Sequence, residues 1–378
     1  MSTQGFRAES KRVPRPRWVR VFGVVALASI GLWGCTGTSH RSAPLPGPAP
    51  TPSAPSTSKP APTTSQPLPT TTQPAPPAHI RAAFYYPWFP EAWVQQGQSP
   101  FTNFTPARGL YRTDVATVRA QIVDMQFGGI TIGIASWFGP GTVTDSHWPA
   151  LISAARGGDF RWAPYYEPEG LSDPTPSHIA ADMHYLRSRY GGGSAGSVLA
   201  SLGSRGMPVF VYNADDLTQA KGCDTVARWT KARELARNRY GETIYVDLKV
   251  FPGYTTCPGA SAIDGWHQYE PARSRQNFAA APGDGSYTIS PGYWKSGSPY
   301  RTGQFLIRNR DRWRKNIASM DASGARWQLV TTYNEWGEGT AIESAEGCRS
   351  PVPSGAYCDW SGKTQSDFLT DLHMAPPN

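Results

Sequence analysis

Eight short apolar or aromatic runs punctuate residues 79–378. They fall at 82–86, 130–136, 161–166, 208–213, 243–250, 262–268, 286–290 and 328–333. Most are apolar nearly throughout rather than alternating, the pattern of parallel strands buried on both faces. Between several of them the spacing of apolar positions lengthens to that of a helix. Asp114 is placed to cap a helix over 115–127, in which Val115, Val118, Ile122 and Met125 share one face. Residues 223–237 and 305–320 are further amphipathic segments, with Arg and Lys on the outer face. Strand–helix alternation carried to eight strands predicts an α/β fold, a (β/α)8 TIM barrel forming one domain. The connections of the fifth to seventh units carry the weakest helical pattern.

The pattern before residue 79 is different. A basic stretch ends at Arg20, and an apolar run over 21–33 follows it. This is the layout of a secretory signal, here residues 1–34, and the run is short for a membrane span. It closes on Leu32-Trp33-Gly34-Cys35, which resembles a bacterial lipobox. That resemblance implies that Cys35 becomes the first residue and carries a diacylglycerol. The plainer alternative is an ordinary signal peptide with cleavage near Gly34 and a free Cys35. Residues 35–78 are rich in Pro, Ala, Ser and Thr and almost uncharged, so they predict an extended spacer with polyproline character. The expected location is therefore the extracytoplasmic face of a cell membrane, reached through the N-terminal lipid.

Charge and cysteine content sharpen this picture. The formal charge is +8, but Arg7, Lys11, Arg12, Arg15, Arg17 and Arg20 stand in the leader against Glu9 alone. The basic balance is mostly a targeting signal, and it does not point to nucleic acid. With 12% aromatic and 17% charged residues, the domain is no disordered chain. Beyond Cys35 there are Cys223, Cys257, Cys348 and Cys358, which in an exported domain suggest two disulfides. Three pairings are open, and the sequence neighbours, Cys223–Cys257 and Cys348–Cys358, are favoured. A zinc site is a weak alternative, because no C-x-x-C or H-x3-H spacing occurs. No cofactor or metal is expected, and a monomer is.

Barrel chemistry sits at the C-terminal ends of the strands. Those ends carry Tyr85 to Phe89, Ser136-Trp137, Tyr165 to Glu169, Tyr212 to Asp215, Asp247 to Lys249, Trp266-His267, Pro291 to Trp294 and Asn334 to Glu338. A rim of Tyr and Trp with a few carboxylates fits a glycan, whose C–H faces stack on rings and whose hydroxyls seek charged or phenolic partners. Glycosidic cleavage needs two carboxyls tuned apart. Any single ring or acid here can instead be packing, and His267 reads as a structural histidine.

Tyr333-Asn334-Glu335-Trp336-Gly337-Glu338-Gly339-Thr340-Ala341-Ile342-Glu343 resembles the N-E-W-x-E-G-T-x-I-E stretch of the endo-α-mannosidases, glycoside hydrolase family 99. Other pieces are similar in order: Phe84 to Phe89 with F-Y-Y-P-W-[YF], Ser136-Trp137 with S-W, Glu167-Pro168 with E-P-Y, residues 207–213 with M-F-Y-V-Y-D, and Pro291-Gly292-Tyr293 with G-P-G-Y. The resemblance implies a (β/α)8 barrel and retaining, endo-acting cleavage of α-mannosides through a 1,2-anhydro sugar. It implies Glu335 as base on the 2-hydroxyl and Glu338 as acid toward the leaving oxygen. It places Tyr86, Glu167, Tyr212 and Tyr293 around the reacting sugar, Trp137 at the neighbouring sugar, and Asn334 and Trp336 in the same substrate-binding set. Tyr86 is favoured over Tyr85 because only one of two neighbours on a strand can point inward. The chain departs from the family at Glu169, where the family has Tyr, and in residues 91–104, which show no clear counterpart of its His-Trp-rich loop.

Two other readings use the same residues. A hydrolase of an α-glucan or another envelope polysaccharide would pair Glu167 with Glu335 as acid and nucleophile, ~5–5.5 Å apart. A lipid-anchored glycan-binding protein would keep the aromatic rim and need neither Glu335 nor Glu338.

Overall fold

The computed structural model describes residues 79–191, 197–213, 218–298, 304–350 and 358–375. The signal peptide, Cys35 and the spacer to residue 78 lie outside the described residues, as do Ala214 and Asp215. In chain order the elements are β1 (Ile80–Tyr85), β2 (Phe104–Pro106), α1 (Val115–Phe127), β3 (Ile132–Trp137), α2 (Val143–Ala155), β4 (Arg161–Tyr166), α3 (Pro176–Tyr190), β5 (Met207–Val211), α4 (Gln219–Tyr240), β6 (Ile244–Lys249), β7 (Gly265–His267), β8 (Arg275–Phe278), β9 (Ser286–Ile289), α5 (Arg310–Asp321), β10 (Trp327–Val330), β11 (Ala345–Cys348) and α6 (Asp367–His373).

The main sheet runs β7-β6-β5-β4-β3-β1-β10-β9-β8. Every neighbour is parallel except β8, which returns antiparallel on β9. One parallel bridge, Gly265 to Asp284, joins the β7 end of the sheet to the approach to β9. There the Asp284 N–H donates to the Asp264 carbonyl at 2.7 Å and the Trp266 N–H to the Asp284 carbonyl at 3.3 Å. These bonds close eight parallel strands into the (β/α)8 barrel, with β2 and β11 as a separate antiparallel ribbon. Each of the eight runs read from the sequence overlaps one barrel strand.

The helices start where short polar side chains accept free N–H groups: Asp114 before α1, Thr142 before α2, Thr175 before α3, Thr218 before α4 and Asn309 before α5. The helix expected over 305–320 thus begins later, at Arg310. Leu306 is held instead in a two-way backbone pairing with Tyr293, at 2.8 and 2.9 Å. Two connections lack a helix. Between β6 and β7 the chain makes 3-10 turns at Tyr254–Thr256 and Ala260–Ala262, and after β7 it forms the β8–β9 hairpin. The first of these is tied to α4 by the Cys223–Cys257 disulfide, and Cys348–Cys358 closes the other pair. Both pairings join sequence neighbours, as expected.

Alternation along each strand sorts the core into two shells. Ala82, Phe84, Ile132, Ile134, Tyr165, Phe210, Tyr245, Trp327 and Leu329 fill the barrel. Their neighbours Ala83, Tyr85, Ala135, Trp137, Trp162, Tyr166, Val209 and Leu248 belong to the shell beneath the helices. Gly133 lets the outer shell close up, because a Cβ there would overlap the Trp162 ring. Burying both faces explains why the strands read as apolar runs rather than alternating ones.

Candidate active site

The last inward position of each strand, or the first beyond it, forms the mouth of the barrel. Tyr86 follows β1, Ser136 ends the inward row of β3, Glu167 follows β4, Tyr212 follows β5 and Lys249 ends β6. Tyr269 lies two residues beyond β7, Tyr293 beyond β9, and Glu335 and Glu338 in the turn after β10.

That turn is held from several sides. The Glu335 N–H donates to Thr332 Oγ1 at 2.8 Å, and the Thr340 N–H and hydroxyl both donate to the Glu335 carbonyl at 3.2 Å. Trp294 N–H and Ser296 N–H donate to the carbonyls of Glu338 and Gly337 at 2.8 and 2.7 Å. Gly337 permits this close packing, since a Cβ would lie 2.9 Å from Glu335 Oε1 and 2.6 Å from the Phe101 ring. Within the turn the Glu338 N–H donates to Glu335 Oε1 at 3.1 Å. Glu335 Oε2 is buried and has no hydrogen-bond partner among the described residues. Glu338 Oε2 accepts the Tyr269 phenol at 2.9 Å.

Burial and mutual repulsion set the electrostatics. Glu335 is pushed well above the usual carboxyl range, first by burial and then by the charge of Glu338. Burial raises Glu338 as well, but the Tyr269 hydroxyl and the ammonium groups of Lys295 and Lys249 oppose it. In the free site the proton of the pair therefore favours Glu335, whose Oε2 has no donor to stabilise a charge. Glu167 rises to about 8, chiefly through burial, with Glu338 adding and Ser136 and Lys249 opposing. Lys249 falls to about 7, also through burial. Tyr86, Tyr165 and Tyr269 are held neutral by burial and by the surrounding carboxyls. Rings line the same space: Tyr86 stacks on Trp88 at 4.4 Å, and Tyr269 meets Tyr86 and Tyr165 at 6.5 and 6.0 Å.

The structure thus brings together Tyr86, Glu167, Tyr212, Tyr293, Glu335 and Glu338. Three expected contacts are corrected. Trp137 does not face the mouth: Ser136 takes the inward position, so Trp137 turns out, donates from Nε1 to Asp145 Oδ1 at 2.9 Å and stacks on Tyr185 of α3. Trp336 is fully buried behind the turn, its Nε1 donating to the Tyr111 hydroxyl and Glu343 Oε2 at 3.0 and 3.2 Å. Asn334 is a brace between strands, accepting the Tyr86 N–H at 2.8 Å and donating to its carbonyl at 3.0 Å. Tyr85 turns outward to Gln121, which leaves Tyr86 inside.

Two mouth residues escaped sequence reasoning. Lys249 stood at a recognised strand end, and its inward direction follows from alternation with Tyr245. Tyr269 lies beyond a strand of three residues, too short to project a phase from. The Glu169 departure is harmless to the mouth, because its carboxylate turns to α4 and accepts from Arg228 at 2.7 Å and Trp229 Nε1 at 2.8 Å. One layer below the mouth, His267 Nδ1 and Asp247 Oδ1 are 2.8 Å apart and fully buried. Burial drives that imidazole down to about 3, so it stays neutral. Among the described residues no group of three or more His, Cys, Asp or Glu side chains is arranged to hold a metal.

No protein-family model matches the chain. It is 23% identical over 293 residues to the human glycoprotein endo-alpha-1,2-mannosidase-like protein, covering 71% of this chain and 62% of that one. The mouse protein of the same description gives 23% over 293 residues, covering 71% and 63%. The chain thus spans less than two thirds of the curated relatives it matches. Among solved structures, two of the GH99 endo-alpha-mannosidase of Bacteroides thetaiotaomicron, one in complex with bis-tris propane, superpose at TM-scores of 0.63 and 0.62. Each is 18% identical and covers 78% of this chain and 95% of that one. A glycoside hydrolase-like protein superposes at 0.55, with 15% identity and 78% and 94% coverage. These superpositions give the chain the same barrel fold as its neighbours.

Proposed function

We propose that the protein is a glycoside hydrolase of the endo-α-mannosidase type, cleaving α-mannoside linkages inside a mannan or mannose-containing glycan with retention. The observation that carries the reading is the pair of buried Glu335 and half-buried Glu338 at the mouth of the barrel, surrounded by neutral phenols. In an axial α-mannoside the 2-hydroxyl lies behind C1. Glu335 takes the proton of that hydroxyl, the 2-oxygen bonds to C1, and the C1–leaving-oxygen bond breaks as Glu338 gives that oxygen its proton. A 1,2-anhydro sugar results. Water then attacks C1 with loss of a proton to Glu338, and the 2-oxygen takes its proton back from Glu335. Two inversions leave the configuration unchanged.

In the free site the shared proton favours Glu335, yet the first step needs it on Glu338. The 2-hydroxyl of a bound sugar supplies Glu335 Oε2 with the donor it lacks, and a hydrogen bond to a carboxylate lowers its pKa. Substrate binding thereby moves the proton to the acid.

A second reading has one observation of its own. Glu167 Oε1 is buried without a partner among the described residues, and the carboxyl is pushed up to about 8. It suits a general acid facing Glu335 as nucleophile on an α-glucan or similar polysaccharide. Incubation with defined α-mannans and α-glucans, with sizing of the products, tests both readings. Internal cleavage of α-mannan that fails on a 2-deoxy substrate is expected. Cleavage of the 2-deoxy substrate removes the anhydro route and favours Glu167. No product from any glycan leaves a glycan-binding protein.

The location is proposed from the sequence alone: export, and anchoring through lipid on Cys35. Cys35→Ser should release the protein from the membrane fraction. A variant that still sediments wholly with membranes refutes the lipid anchor.

A further inference from the structure

Alternation along β6 turns Tyr245, Asp247 and Lys249 inward, and Lys249 is the member that reaches the mouth. It is 3% exposed, and its Nζ lies 4.7 Å from the centre of the Tyr212 ring. The strands around it supply the groups it faces: Glu167 after β4, Tyr212 after β5, Glu270 after β7 and Glu338 after β10, with Asp247 and His267 in the layer beneath. Of these, His267 is neutral and burial holds Asp247 toward its protonated form.

Three glutamates meet here, Glu167 and Glu335 buried and Glu338 half-buried. Ionising all of them in so small a space is prohibitive, and ionising even one without a nearby cation is costly. Glu270 has its own cation in Arg273, whose Nε lies 2.9 Å from Oε1, so among the remaining groups one ammonium, one carboxylate and two carboxylic acids make the mouth neutral. That is also the distribution the proposed chemistry uses, with Glu335 ionised as base, Glu338 protonated as acid and Glu167 protonated. Lys295 acts on Glu338 too, but it is half-buried and partly screened by water.

We infer that Lys249 is a positioning residue whose ammonium is the counter-charge allowing one of the three mouth carboxyls to ionise while the other two keep their protons. The inference rests on the hydrolase reading only in that such chemistry requires one ionised carboxyl. The opposing pull of Lys249 on Glu167 and Glu338 agrees with it. Because these groups interact, their titrations belong to the cluster rather than to single residues.

The test compares the full chain with Lys249→Met, which removes the charge at similar length, and Lys249→Arg, which keeps it. Two quantities are followed against pH: kcat/KM on the glycan that the wild type cleaves, and the infrared band of protonated carboxyls. In Lys249→Met the acid limb should move up by about one to three pH units. The protonated-carboxyl band should persist to correspondingly higher pH. Lys249→Arg should keep the wild-type limb even where its maximal rate falls. A Lys249→Met limb at the wild-type position overturns the inference, as does a Lys249→Arg limb displaced as far as that of Lys249→Met. If the wild type cleaves no glycan, the hydrolase reading fails, and the infrared titration alone judges Lys249: a band unchanged in Lys249→Met refutes it. If Lys249→Met does not fold, Lys249→Arg decides, and a displaced limb or band in that variant refutes the counter-charge.

Discussion

Glu335 and Glu343 are eight positions apart in one turn, and both are buried, yet their surroundings are opposite. Glu343 faces the back of the barrel. Its Oε2 accepts from the Tyr111 hydroxyl at 2.7 Å and Trp336 Nε1 at 3.2 Å. Its Oε1 accepts from Gln121 Nε2 at 2.9 Å and lies 3.3 Å from Arg108 Nε. Glu335 faces the mouth, where Oε1 accepts one backbone N–H and Oε2 accepts nothing from the described residues. A buried polar atom without a partner costs about 1–3 kcal/mol. In the proposed hydrolase reading, that open atom is where the 2-hydroxyl of the sugar donates. The comparison separates a carboxylate bonded into the turn from one that faces the mouth.

The sharpest way to break this contrast is to remove each carboxyl in turn. Glu335→Gln should lower kcat by about 10²–10⁴ on every glycan substrate, the usual worth of a general base. Its denaturation midpoint should stay at or above that of the wild type, since an amide relieves a buried acid. Glu338→Gln should do the same to substrates with poor leaving groups and spare the first step for an activated aryl glycoside, measured as a burst of released aryl alcohol. Full activity in Glu335→Gln would end its assignment as the base.

Glu343→Leu should show the reverse pattern. It strands the donors of Tyr111, Gln121 and Trp336, and a loss of roughly 3 kcal/mol or more is expected in denaturant unfolding. The molecules that remain folded should keep kcat within about threefold, because the donors stranded lie behind the turn. A stable but inactive Glu343→Leu would place that residue in the chemistry and erase the distinction.

Smaller effects separate the rings. Tyr269→Phe removes the donor to Glu338 Oε2 and should cut kcat/KM about tenfold, the equivalent of one hydrogen bond to a charged group. Its stability should change little. Trp137→Phe loses the bond to Asp145 and should cost about 1 kcal/mol of stability with KM for glycan unaltered. A raised KM in Trp137→Phe would mean that this ring meets the sugar after all, against its outward orientation.

Much of this was legible before any coordinates. Eight apolar runs gave eight barrel strands, because a parallel strand buried on both faces needs an apolar residue at nearly every position. Asp114 marked the start of α1, because an exposed N-terminus needs an acceptor nearby. Barrel topology then made the strand ends the place to look, and Glu335 and Glu338 stand there. The missing helices between β6 and β9 were foreshadowed by the weak helical pattern of those connections, although the β8–β9 hairpin was not.

What the chain by itself determined was which segments reach the mouth: local patterning sets strand positions, and strands end where their apolar runs end. Direction was decided only by the folded barrel. Trp137, Trp336 and Asn334 sit beside mouth residues in sequence and serve the shell or the strand junction in space, because neighbouring side chains leave a strand on opposite faces. The partners of each acid were likewise invisible. Tyr269 reaches Glu338 across 69 positions, and Tyr111 reaches Glu343 across 232. Such pairings depend on closing the barrel, and no local pattern of apolar and polar residues encodes which acid will be saturated by them and which will be left open.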